Sequence, residues 1–377
     1  MRFDDVNGLT NLAPRINASI EIVPDIFSIK GGWGITSKAP TATYLYPQAT
    51  YSDLVNYSNR FLGYEHELVV GTTNVHDSSN PQLKMATNRK AEVGFDITIA
   101  KRYKINVTAY YELMRNGYSF GSDISTFIWT QHVFYKNINS DPNLMPTLAV
   151  DKVLNLFFRY NKPLNDVYLH NRGIEYEINL GRFDAIRTSF YINGAWTYTE
   201  SSSSANTFTT KSNGGNAEYN VAVYDPYLYT YCSEKVLTTL RITHNIPAIG
   251  VGVTLSGQVN WLGKTWTKFG NDEMFSQYIS YKDGKVYDFD PALKDDPEFR
   301  YMFESKSPQR LLPEKTPPFV IFNLNISKEI GNFLTASFFV NNVFNSRPLN
   351  ESDKIKGNYN ELGIPMFFGL DINIKIK

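Results

Sequence analysis

The chain has 377 residues, a formal net charge of zero at pH 7 and one cysteine, Cys232. The balanced charge argues against nucleic-acid binding, which needs a basic face, and the single cysteine excludes an internal disulfide framework and a cysteine-based zinc site. Aromatic residues reach 15%, with Tyr and Phe at 25 each, yet the mean hydropathy is −0.32. Transmembrane β-barrels combine these traits because only every second strand residue faces lipid.

Apolar and polar residues alternate with the period of a β-strand in about eleven segments. The pattern predicts five hairpins, each made of two such segments joined by a short turn, and then one unpaired strand. In chain order the paired segments are 16–22 with 27–35, 90–100 with 105–113, 174–180 with 190–198, 236–242 with 251–261, and 320–326 with 334–340, and the last strand is 366–376.

The alternation is clearest in segment 90–100, where Val93, Phe95 and Ile97 fall on one face and Glu92 and Asp96 on the other. Together with the residues that flank each alternating segment, the predicted strands run roughly 11 to 14 residues, against a mean of about 5 to 6 in soluble sheets. A tilted strand that crosses a bilayer needs about 9 to 11 residues. Strand length therefore favours an antiparallel transmembrane β-barrel over a soluble sandwich.

The connections between these strands differ on the two sides of the predicted sheet. The five short turns fall on one side, and the long connections, near 38–87, 116–167, 200–233, 264–317 and 345–363, fall on the other. Outer-membrane barrels have this layout, with tight periplasmic turns and long extracellular loops. The odd strand count and the lack of an apolar signal-peptide segment after Met1 predict that the chain is part of a longer barrel protein.

The polar face of the predicted sheet carries many charges, which need water or paired partners. We expect them to face a lumen: Glu92, Asp96, Lys104, Glu112, Glu175, Glu177, Arg187 and Arg241. The alternative is the solvated face of a large soluble sheet, which would require a second layer over the apolar face. Aromatic residues near the long-loop ends of the strands predict a membrane-interface girdle, formed by Trp33, Trp196, Tyr198 and Trp261.

The long connections are rich in aromatic residues, which are good platforms for planar ligands and sugars. The candidate substrate-binding residues are Trp129, Trp266, Tyr227 and Tyr229. The alternative is that these rings pack the loops against one another. An acidic stretch at 283–298 leaves calcium binding open, although its ligand order is not that of an EF-hand. The five histidines show no metal-ligand spacing and no catalytic motif appears, so the sequence predicts no metal, no cofactor and no enzyme activity.

Several stretches resemble the barrel of TonB-dependent outer-membrane receptors, including SusC-like nutrient importers. The segment 27–40 resembles the family's strand that ends in a Gly-rich run and Lys-Ala-Pro, and 80–84 with 92–96 resembles its "NPxLKPE…ExG" hairpin opening. The segments 340–345 and 365–370 resemble the ends of the last two strands. Met85 stands where the family has proline, and Lys377 stands where a terminal aromatic is usual.

This resemblance implies that residues 1–377 form a partial β-barrel domain, the last eleven strands of a 22-stranded barrel, without the plug domain and signal peptide. It also implies active import of a glycan, oligopeptide or siderophore across the outer membrane. The implied partners are outer-membrane lipid, the TonB energy-coupling complex acting through the plug, a small nutrient ligand and, as an open question, a surface lipoprotein. Two alternatives remain: a passive porin, and a barrel-borne enzyme such as a hydrolase using Ser201–Ser204.

Overall fold

The computed structural model describes residues 2–6, 8–139, 141–209, 219–303 and 306–375. Its strands, in chain order, are β1 (Arg2–Val6), β2 (Leu9–Ala13), β3 (Arg15–Val23), β4 (Phe27–Lys38), β5 (Thr50–Ser58), β6 (Val69–His76), β7 (Ala86–Ile99), β8 (Tyr103–Gly121), β9 (Phe127–Asn137), β10 (Leu148–Arg159), β11 (Lys162–Phe183), β12 (Thr188–Ser203), β13 (Thr207–Thr209), β14 (Val221–Tyr224), β15 (Tyr229–Ile246), β16 (Val251–Phe269), β17 (Gln277–Ile279), β18 (Val286–Asp288), β19 (Glu314–Thr316), β20 (Phe319–Ile330), β21 (Leu334–Asn341), β22 (Leu349–Glu351), β23 (Tyr359–Glu361) and β24 (Phe367–Ile374). The α-helix is α1 (Ala42–Leu45), and 3₁₀ turns lie at Ile124–Thr126, Pro247–Ile249, Pro291–Leu293, Arg300–Met302 and Pro308–Leu311. None of the helices in these ranges is long and apolar enough to cross a membrane.

The strands pair into one large antiparallel sheet with the order β24-β21-β20-β16-β15-β12-β11-β8-β7-β4-β3, and β19 pairs with β16 beside this path. The path contains the eleven strands expected from the sequence, as five consecutive hairpins and one further strand, so the prediction of an antiparallel barrel-type sheet is confirmed. The described strands do not close this sheet into a ring. Ile376 and Lys377, placed at the end of the last predicted strand, lie outside the described residues.

The five hairpin turns are short because they use backbone conformations that reverse the chain within three or four residues. Gly250 and Gly331 close two of them with φ of 62° and 57°, the left-handed region that glycine enters without steric cost. The other ends of the same strands lead into the long connections. The predicted asymmetry of the two sides is therefore confirmed.

One face of the large sheet is apolar and uncovered. Val93, Phe95 and Ile374 are 57%, 39% and 60% exposed, although burial is what normally stabilises such side chains. A soluble sheet would bury this face against a second layer. The exposed apolar face instead fits contact with lipid, and we call it the outer face.

Several strands are longer than the sequence pattern predicted. β11 begins at Lys162 and has 22 residues, whereas alternation indicated a strand only from residue 174. β15 likewise begins at Tyr229 and not near 236. Beyond the bilayer both faces of a strand are wet, so the residues there do not alternate in polarity, and the pattern shows only the membrane-spanning part.

The long connections contain small sheets and not only irregular loops. β5 pairs with β6, β9 with β10 and β22 with β23, while β13, β14, β17 and β18 form a four-stranded sheet. That sheet combines the connection between β12 and β15 with the connection between β16 and β20. The sheet and the segments around it carry the most buried apolar side chains of the described chain, among them Phe275, Ile279 and Met302. We call β13, residues 219–228 (which include β14) and residues 272–303 (which include β17 and β18) the loop unit.

Candidate functional site: the polar face and the loops beside it

The polar face of the large sheet is a continuous charged wall. The strand register brings most of the predicted lumen-facing residues onto this one face: Glu92, Asp96, Lys104, Glu112, Glu175, Glu177 and Arg241. Arg187 is the exception, because it lies in the turn between β11 and β12, with φ of 52°. The sequence analysis placed Arg187 on the polar face of a strand, whereas the structure places it in a turn.

A cation that the sequence analysis did not single out organises the upper part of this wall. The Lys90 ammonium lies 2.9 Å from a Glu92 carboxylate oxygen and 3.7 Å from one of Glu112. It also lies over the Tyr110 ring at 5.6 Å. Glu175, from the next strand, lines the same concavity. Lys90 lies two residues before Glu92 and therefore falls on the same face of an alternating strand. This spacing is the signal in the sequence that could have identified it.

Lower on the wall, Asp96 accepts hydrogen bonds from Asn106 and, at 3.2 Å, from the Lys30 ammonium. Lys104 lies beside this group, in a groove that Asp96 also lines. Farther along the sheet, Arg241 pairs in register with Tyr191. The wall alternates positive and negative groups, so it can hold water and polar solutes without an unpaired charge buried in lipid.

The four predicted girdle aromatics lie on the outer face. Trp196 pairs in register with Ile174, and its indole nitrogen donates to Glu234 at 2.9 Å. Trp33 and Trp261 are 45% and 52% exposed, and Tyr198 is 8% exposed under its neighbours. A membrane-interface role for these rings stays a prediction.

The four predicted substrate-binding aromatics do not converge. Trp129 donates its indole N–H to the Tyr281 carbonyl at 2.7 Å, which fastens the β9–β10 hairpin to the segment after β17. Trp266 lies 5.8 Å from the ring of Tyr198, on the outer face. Tyr227 is half exposed and approaches Tyr168 at 6.2 Å, and Tyr229 packs against Phe269. Contact of these rings with a substrate stays a prediction, and the geometry gives each of them another partner.

The acidic stretch at 283–298 does not gather its carboxylates. Asp283 accepts from the Tyr287 hydroxyl at 2.7 Å, Asp290 caps the turn at Ala292, and Glu298 pairs with Lys282 at 3.0 Å. Across the ranges that the structure describes, no three His, Cys, Asp or Glu side chains are grouped to hold a metal ion. The distances give calcium no common centre here, since Ca²⁺ needs six or more oxygen ligands.

A buried ion pair fastens the start of the loop unit to the segment 306–311, whose Arg310 lies over the Phe269 ring at the end of β16. Asp272 is 3% exposed, and its carboxylate receives hydrogen bonds from Arg310 and, at 2.7 Å, from the Lys306 ammonium. Burial alone would raise the pKa of Asp272, but the hydrogen bonds and charges of Arg310 and Lys306 outweigh it and hold the pKa below its ordinary value of 3.8. The ionised carboxylate is therefore part of the folded loop arrangement.

This pairing predicts an acid-sensitive loop unit. A carboxylate whose pKa is lowered on folding contributes stability that is complete above its unfolded pKa and is lost as the pH falls through the folded pKa. We expect the amide protection of 272–303 to be constant from neutral pH to about pH 5 and to fall below about pH 4. Hydrogen exchange, corrected for its intrinsic pH dependence, measures this. Asp272→Asn should lower protection at neutral pH and remove the acid step; an unchanged step would contradict the assignment.

An uncharged pocket lies among the connections on the same side. It has a volume of about 730 Å³ and is lined by Ala42, Thr43, Tyr46, Pro47, Gln48, Thr50, Ser78, Phe120 and Asn161. Tyr44 stacks on Phe120 at 5.0 Å and anchors α1 to β8. The Tyr46 and Phe120 rings are 70% and 45% exposed. None of the lining residues is charged at neutral pH, whereas every concavity described on the polar face contains charged groups.

Comparison with known families identifies the fold. The family profile described as "TonB dependent receptor-like, beta-barrel" matches residues 1–343. The chain belongs to the TonB-dependent receptor family. Its sheet is therefore receptor barrel wall, and in outer-membrane barrels the apolar face of the wall meets lipid while the polar face lines the lumen. The predicted outer-membrane location is confirmed with it.

Comparison with solved structures found matches at low sequence identity. The siderophore receptor PirA from Acinetobacter baumannii matches with a TM-score of 0.50 and 12% identity, over 99% of this chain and 42% of PirA. The FrpB iron transporter from Neisseria meningitidis matches with a TM-score of 0.47 and 11% identity, over 97% of this chain and 39% of FrpB. This receptor chain thus spans less than half of either protein. No curated protein sequence matches it.

Proposed function

We propose that the protein to which this chain belongs imports a small nutrient across the outer membrane, driven by the TonB energy-coupling complex through a plug domain. The charged lumen wall around Lys90, Glu92 and Glu112 is the observation that carries this proposal. A lipid-facing apolar surface backed by a wall of alternating charge suits a wide polar lumen that can hold a plug.

The test of energy coupling is uptake by cells that express the full-length protein. Import should stop when the energy-coupling gene is deleted or when a protonophore removes the proton gradient. Uptake that continues unchanged in both conditions would support the passive porin instead. Expression is checked in the same cells by surface labelling of the barrel, so that loss of protein is not mistaken for loss of transport.

We further propose that the transported nutrient is a neutral glycan. The uncharged pocket supports this class because its exposed rings, Tyr46 and Phe120, offer faces to the C–H bonds of a sugar ring. Gln48, Thr50 and Asn161 supply amides and hydroxyls that can donate to and accept from sugar hydroxyls. The volume of about 730 Å³ lies within the usual range of ligand pockets. An anionic ligand would find no cation among the lining residues.

Removing the two aromatic rings should weaken glycan binding. Tyr46→Ala or Phe120→Ala is expected to raise the Kd by about two- to tenfold, because one stacking contact contributes about 0.5–1.5 kcal/mol. A glycan array identifies the ligand for the full-length protein, and calorimetry measures the Kd. Phe61→Ala is the comparison variant, since the Phe61 ring is 84% exposed and does not line this pocket. A ferric hydroxamate or a hexapeptide that binds tightly, with no glycan binding, would overturn the substrate class while leaving import intact.

A further inference from the structure

The outer face carries charged residues above its apolar band. Along β12 the residues on this face are Phe190, Ile192, Gly194, Trp196 and Tyr198, a run that rises about 27 Å along the strand. At a strand tilt of about 40° this gives roughly 21 Å of height, close to the ~25 Å apolar band of an outer-membrane barrel. Residues at and beyond the end of the run therefore lie at the depth of the lipid headgroups.

The register places a row of four long side chains at this boundary. Arg172 of β11 lies opposite Tyr198 of β12, Tyr198 opposite Glu234 of β15, and Glu234 opposite Lys264 of β16. The next row towards the loops holds Glu200 and, two strands away, Trp266. Charged residues on a lipid-facing surface are costly unless they meet an interface or a partner.

Both carboxylates of this region are already engaged. Glu234 accepts from the Trp196 indole at 2.9 Å. Glu200 accepts from the Tyr198 hydroxyl at 2.6 Å, pairs with Lys268, and lies 3.5 Å from a His170 ring nitrogen. Each acid thus has donors from the protein itself.

Two cations have aromatic neighbours but no acid. The Arg172 guanidinium lies over the Tyr198 ring at 4.4 Å, and the Lys264 ammonium lies over the Trp266 ring at 4.5 Å. The two rings are 5.8 Å apart. Within the described ranges, no carboxylate lies within 4.0 Å of either cation. Arg172 is exposed, and Lys264 is half-buried.

We propose that Arg172 and Lys264 bind the phosphate groups of an outer-leaflet lipid headgroup, with the Tyr198–Trp266 pair as its floor. The two cations stand three strand spacings apart, about 14 Å between their backbones, and each extends over one ring of the Tyr198–Trp266 pair. A guanidinium binds phosphate oxygens in a bidentate manner and an ammonium acts as a point charge. The rings fix the direction of both cations, which reduces the entropy lost on binding.

The test uses the full-length protein, delipidated in a neutral detergent, with diphosphorylated lipid A as the probe. The double variant Arg172→Gln/Lys264→Gln should bind the probe roughly 30-fold more weakly, since each cation near a headgroup contributes about a fivefold step. The matched control Arg182→Gln/Lys101→Gln removes the same charge from the turn end of the barrel and should bind like the wild type. The charge-preserving exchange Arg172→Lys/Lys264→Arg should recover most of the binding.

Folding of each variant is checked by its heat-modifiable electrophoretic mobility. If the double variant does not assemble, binding is measured for the single variants Arg172→Gln and Lys264→Gln in its place. Binding that is equal in wild type and double variant would overturn the proposal. Full competition by millimolar inorganic pyrophosphate would show a general anion site, and would overturn the assignment to a lipid. Loss of nutrient uptake has no bearing on this result, because the lipid site lies on the opposite face from the lumen wall.

Discussion

Phe275→Ala is expected to unfold the loop unit while leaving the barrel strands paired, at a cost of about 3–5 kcal/mol. Phe275 is 1% exposed, and its ring lies 4.2 Å from Phe289 and 5.0 Å from Phe303. Truncating it leaves a cavity in the buried cluster where Tyr224 of one chain connection meets Phe289 and Phe299 of the other. Large buried rings in a small core have few neighbours that can collapse into the space.

The effect should spread from the loop unit to the neighbouring hairpins. Trp129 of β9 is fastened to the segment after β17. In turn, Asn56 of β5 donates to the Val133 carbonyl at 2.7 Å, and His132 contacts the Val55 carbonyl at 3.1 Å. The extracellular connections thus form one chain of contacts, so loosening the loop unit is expected to raise mobility in β9–β10 and then in β5–β6.

Hydrogen exchange on the full-length protein measures both parts of this prediction. Protection should fall by orders of magnitude in 219–228 and 272–303, by less in β9, and not at all in the barrel strands β11, β12, β15 and β16. The control is Phe61→Ala, whose ring is 84% exposed and whose loss should change stability by less than about 0.5 kcal/mol. Uniform loss of protection across the barrel strands would show that the loop unit is not a separate cooperative element.

An arginine at position 192, on the outer face, is expected to block barrel assembly, whereas an arginine at position 193, on the polar face, is not. Ile192 lies on the outer face, two residues from the centre of the apolar run 190–198, and Asn193 lies on the lumen face opposite Glu177. An arginine in contact with lipid near the bilayer midplane costs about 2–4 kcal/mol. At position 193 the same side chain meets water and the carboxylate of Glu177 across the strand.

The matched pair Ile192→Arg and Asn193→Arg therefore tests which face meets lipid. The folded fraction in lipid vesicles, followed by heat-modifiable mobility and by urea titration, should fall for Ile192→Arg by the equivalent of about 2–4 kcal/mol and stay near wild type for Asn193→Arg. Equal tolerance at both positions would mean that neither face is in hydrocarbon. A greater loss for Asn193→Arg would mean that the two faces are assigned the wrong way round.

The amino-acid sequence by itself determined the sheet, its faces and its asymmetry. Strict alternation in segments such as 90–100 identifies membrane-spanning strands because lipid imposes one polarity on every second side chain. The same parity placed Glu92, Glu112 and Glu175 together on the polar face. It did not identify the upper half of β11, Lys162 to Gly173, which lies beyond the hydrocarbon of the bilayer, where no environment imposes alternation.

Tertiary structure alone decided how the extracellular connections meet. Asp272 and Arg310 are 38 positions apart, and Trp129 and Tyr281 are 152 apart. Such contacts join irregular segments that have no period to read. Strand register and loop packing likewise decide the positions of Phe120, which lines the uncharged pocket, and of Lys264, which lies over the Trp266 ring. Local polarity therefore determined the sheet and its two faces, and long-range packing determined how the connections and the pocket among them are arranged.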